Sequence, residues 1–68
     1  MKIKPEHWVF VINAGQMLAN GESPESVKAS MRALDFDAEQ CDEMFAEASM
    51  VCLDLKVGIT PKRPDWAK

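Results

Sequence analysis

The sequence predicts a small all-α domain of three helices, with a long third helix and an extended C-terminal tail. Three observations predict it. Apolar residues recur at three- and four-residue spacing in separate stretches, and residues suited to helix starts and stops bound those stretches. No second run of β-branched residues is present to pair with a strand. On this reading a three-helix domain occupies residues 1–59 and an extended basic tail residues 60–68.

The first helix is expected over Pro5 to Ala19. Proline suits the first helical turn, where its missing N–H costs nothing, and Asn20-Gly21 suits a left-handed stop. Trp8, Val11, Ile12, Gly15, Leu18 and Ala19 fall on one broad face, while Phe10 and Met17 project well away from it. Gly15 costs a helix interior about 1 kcal/mol relative to alanine, so its presence points to a close helix crossing. The second helix opens at Ser23-Pro24, with Ser23 as the cap and Glu25 placed to suit the positive end of the helix dipole. Val27, Met31 and Leu34 then form its narrow apolar stripe.

The third start is the best marked. Asp37 and Gln40 have capping-box spacing, and Phe36 and Cys41 are placed as a hydrophobic staple. The helix should run from Ala38 to about Val57, with a Schellman-type stop at Gly58, Ile59 folding back over Leu53, and Pro61 preventing continuation. This helix is apolar on two faces. Cys41, Met44, Phe45, Ala48, Val51, Cys52 and Leu55 make the first stripe, and Ala46, Met50, Leu53 and Val57 make a second, roughly opposite one. Asp42, Ser49 and Lys56 divide the stripes on one side, and Glu43, Glu47 and Asp54 on the other. One small core can cover one stripe, so the second is expected to meet a partner, with Phe10 and Met17 as contributors. Trp66 in the tail either folds back onto the helices or anchors in another chain, because its large area favours burial in one or the other.

Composition narrows the function. The chain has 68 residues and a formal charge of −3, but residues 6–57 alone carry −7, and no base interrupts the acids between Arg32 and Lys56. Such a body repels phosphates, so nucleic-acid binding is disfavoured. Cys41 and Cys52 lie on one helix stripe about 16 Å apart, too far to bridge, and are expected as reduced core residues in a cytoplasmic setting. Neither a signal peptide nor a membrane span is expected, since the longest apolar run, Trp8 to Ile12, is far too short.

No motif for chemistry stands out. His7 is the single histidine, the cysteines lack metal-ligand spacing, and Gly15, Gly21 and Gly58 are too dispersed to cradle a phosphate. The segment from Asp35 imitates the start of a calcium loop, but Gln40 and Ala46 occupy the positions of its turn glycine and bidentate glutamate. No catalytic residue, cofactor or metal is therefore expected. The sequence suggests a non-enzymatic protein–protein interaction module, acting as an inhibitor, adaptor or accessory regulator and forming a homodimer. By analogy of size and charge it resembles compact accessory proteins of bacteria and phages. The expected interface comprises Phe10, Met17, Ala46, Met50, Leu53, Val57 and Trp66, with Asp42, Glu43 and Glu47 as its acidic surround. The alternative is a small DNA-binding regulator of helix-turn-helix type, whose recognition helix would here be acidic. A third possibility is a subunit of a larger enzyme.

Overall fold

The computed structural model describes residues 2–68 and contains three α-helices: α1 over Trp8–Ala19, α2 over Pro24–Ala33 and α3 over Ala38–Lys56. A short 3-10 turn, Pro5–His7, leads into α1, so the expected first helix forms with a tightened opening turn. His7 explains that turn locally. Its Nδ1 accepts the Lys4 N–H at 2.9 Å, and its own N–H donates to the Lys4 carbonyl at 2.8 Å.

Each later start follows from its cap. Ser23 Oγ accepts the Ser26 N–H at 3.1 Å, with Pro24 as the first residue of α2. Asp37 and Gln40 exchange side-chain to backbone bonds at 2.8 and 3.0 Å, which completes the capping box of α3. Each such cap is worth about 1 kcal/mol, enough to fix a boundary in a domain this small.

All three helices stop at a residue with positive φ: Gly21 at 93°, Asp35 at 68° and Gly58 at 79°. After α1, Gly21 and Glu22 donate to the carbonyls of Leu18 and Met17; after α3, Gly58 and Ile59 donate to those of Leu55 and Asp54. Both are Schellman endings. The side chain of Ile59 differs from expectation: it remains 54% exposed beside Ile12 and Leu55 instead of closing over Leu53. The reversed chain carries it toward α1.

α1 lies on α3, and α2 closes one edge of the pair. The shared core comprises Val11 and Ala14 from α1, Val27 and Met31 from α2, and Cys41, Met44, Ala48 and Val51 from α3. The expected first stripe of α3 is thus the inner one, with Phe45, Cys52 and Leu55 half-buried at its margins. Gly15 sits at the crossing. A Cβ there would run into Val51 Cγ1 and stand 2.7 Å from Val51 Cβ, so only glycine lets the two helices approach this closely.

Both ends of the chain also pack onto the helices. Ile3 is 4% exposed, and the Lys2 and Ile3 N–H groups donate to Glu43 Oε1 at 2.8 and 3.3 Å. The tail leaves α3 without regular structure, then forms a 3-10 turn, Asp65–Ala67, that places Ala67 at 1% exposure. Trp66 meets Trp8 edge-on at 5.8 Å, and its Nε1–H donates to Glu47 Oε1 at 2.9 Å.

Candidate interaction surface

The second stripe of α3 is left bare because the molecule is thin. Its principal extents are 31 × 28 × 14 Å. Two helices packed about 8–10 Å apart, each with backbone radius about 2.3 Å, account for the smallest dimension, so there is no third layer. α3 is covered by α1 and α2 on its inner side, and its outer side meets solvent.

Met50 is 64% exposed, Leu53 62% and Val57 70%, and Ala46 stands exposed on the same line. Among the described residues, three of the six large apolar side chains with such exposure therefore align on one helix face; the others are Val9, Leu34 and Ile59. Scattered exposed apolar residues are ordinary, whereas a contiguous row marks a place for contact. A groove of about 370 Å³ runs beside the row, lined by Leu18, Pro24, Phe45, Cys52 and Leu53. A second cleft, of about 270 Å³, lies on the other side of Met50, between α3 and the returning tail.

The remaining expected interface residues have internal duties. Phe10 stacks edge-on with Phe36 at 5.4 Å, and both Phe10 and Met17 pack against the core. The apparent second face of α1 is taken up by α2 and by the turn before α3, so these two residues belong with the core and not with the exposed row. Trp66 likewise folds back within its own chain.

The acidic surround divides in the same way. Glu43 and Glu47 are half-buried and accept the N–H groups that hold the two chain ends. Asp37 and Glu39 face Lys2 Nζ at 3.9 and 3.6 Å. Asp42, Asp54 and Lys56 have no ion pair or side-chain hydrogen bond among the described residues, so they stand unpaired beside the row. The duties of Glu43 and Glu47 have no local sequence signal, because their partners lie 41 and 19 residues away in the chain.

Cys41 and Cys52 carry free thiols, the first buried and the second half-buried. Burial pushes the Cys41 thiol above its ordinary value of 9.0, against the opposing pull of Arg32. Among the described residues no group of three His, Cys, Asp or Glu side chains is placed to hold a metal ion, and no helix is long and apolar enough to cross a membrane. The fold and surface define a class: an all-α, three-helix domain with an unpaired apolar row on its longest helix. No family model matches the chain, and neither a curated protein nor a solved structure matches it.

Proposed function

We infer that this protein is a protein–protein interaction module that works by occupying a surface with the outer face of α3, as an inhibitor, adaptor or accessory regulator, and that it self-associates through that face. One observation carries the reading: Met50, Leu53 and Val57 stand more than 60% exposed in a row, in a domain with no further layer to cover them. Keeping such a row in water forgoes about 25 cal/mol for every Å² that a partner could cover. The unpaired charges beside it supply orientation more than affinity.

Sedimentation equilibrium tests the self-association. At about 100 µM the chain should sediment at twice its mass of 7.6 kDa. A clean monomer under those conditions contradicts self-association and leaves the face to a heterologous partner.

A further inference from the structure

We propose that a second copy of this chain seats on the α3 face in antiparallel orientation, with the two-fold axis passing beside Ser49. The proposal rests on the reading of α3 as an interaction surface, and adds to it the partner, the direction and the register.

The shape of the face is the first argument. A two-fold contact uses the same patch twice, so that patch must carry both a projection and a recess to receive it. Here the projection is Leu53, 62% exposed, and the recess is the place beside the small Ala46, seven positions earlier on the same row. Both lie on one flank of α3, the flank that an antiparallel two-fold brings against itself. Two copies can therefore exchange them, each Leu53 packing beside the other's Ala46.

Charge supplies the direction. Asp42 and Lys56 lie on the groove side of the row, fourteen positions apart and both unpaired, which at about 1.5 Å per residue puts them about 21 Å from one another along the helix. Parallel pairing would set Asp42 against Asp42 and Lys56 against Lys56. Antiparallel pairing sets each Asp42 against the second copy's Lys56, and does so twice.

The register follows from the midpoint of those two residues, which is Ser49. Around that point Leu53 of one copy comes beside Ala46 of the other, and Phe45 comes beside Cys52, because an antiparallel two-fold sets like flanks of the helix together. Ser49 and Ala46 are small, which suits the place where two backbones approach most closely. The Ser49 hydroxyl already donates to the Phe45 carbonyl at 3.0 Å, so enclosing it leaves no donor unsatisfied. Glu47 and Asp54 lie beyond the far side of the row, with the tail, so the contact does not bring their like charges together. A stable dimer that buries about 1,200 Å² in total needs about 600 Å² from each copy, roughly one seventh of the 4348 Å² surface.

The experiment is a charge-swap series read by sedimentation equilibrium at low salt: wild type, Asp42→Lys, Lys56→Asp, the double variant, and Leu53→Asp. Each single charge reversal should weaken the dimer roughly tenfold, and the double variant should regain most of the loss, because it restores unlike charges across the contact. Far-UV circular dichroism verifies that each variant is helical. A salt series on the wild type is an independent readout should Lys56→Asp fray the helix end: apposed unlike charges make the dimer weaken as salt rises, and apposed like charges make it strengthen. A double variant no tighter than the singles, or a wild-type dimer that tightens with salt, overturns the antiparallel register. If Leu53→Asp still abolishes the dimer in that case, the α3 face stands as the interaction surface. A dimer indifferent to Leu53→Asp overturns both readings, and a monomeric wild type overturns the second copy as occupant.

Discussion

Gly15 and Val51 decide how closely the two long helices approach, and thus where the α3 face stands. Replacing Gly15 with alanine should raise helix propensity by about 1 kcal/mol, yet overpacking a tight core typically costs about 1–3 kcal/mol. Overpacking should win here. The clash reaches the Cβ of Val51, which is fixed to the backbone and cannot rotate away. Gly15→Ala should therefore lower the urea midpoint, and the loss should shrink when Val51→Ala is added; equal losses in both backgrounds would place the strain elsewhere. The sequence made Gly15 legible because a glycine inside a helix is costly and asks for a reason. It made Glu43 and Glu47 look like ordinary surface acids, because nothing near them in the chain marks the N–H groups they accept. Charge reversal at either one consequently disturbs a chain end as well as the surface, and Asp42 is the cleaner position for probing charge.

Among the elements, the helices were legible and the chain ends were not. Ser23-Pro24, the Asp37 and Gln40 pair, and the glycines at 21 and 58 act within a few residues of themselves, so local chemistry fixes the boundaries of α2 and α3 and both Schellman stops. Asp35 was less apparent as a stop, since aspartate adopts positive φ far less often than glycine. The tail reads only as an extended basic arm, with the docking of Trp66 left open between its own helices and another chain, because its contacts are all tertiary: Trp66 on Trp8 and Glu47, and Ala67 inside. Arg63 reinforces the closing turn by donating to the Ala67 carbonyl at 2.8 Å. Trp66→Ala removes a half-buried aromatic and one charged hydrogen bond, and should cost about 2 kcal/mol of unfolding free energy while leaving dimerisation nearly unchanged. Denaturant unfolding and sedimentation on the same variant check both halves. A dimer lost along with Trp66 would move the tail from the fold into the interface.

At the scale of the whole molecule, thinness links sequence to function. A 68-residue chain with a 19-residue third helix can cover one side of that helix, and α1 and α2 do so. The two-stripe pattern of α3 was visible in the sequence, and its division into an inner and an outer face follows from the packing. Which apolar residues of α1 join the core was less visible, since Phe10 and Met17 are partly covered by elements distant in the chain. On the proposed reading the inner stripe makes the fold and the outer stripe makes the contact. Two substitutions on the one helix test that claim. Met44 is fully buried, and Met44→Ala should cost about 2–5 kcal/mol, enough to unfold much of so small a domain. Leu53→Asp lies on the outer row and should keep the wild-type helical circular dichroism while its sedimenting mass falls to that of the 7.6 kDa chain. The decisive measurement is therefore circular dichroism and sedimentation equilibrium on Leu53→Asp in the same sample: a folded monomer is the predicted result, and a folded dimer as tight as the wild type would contradict the claim.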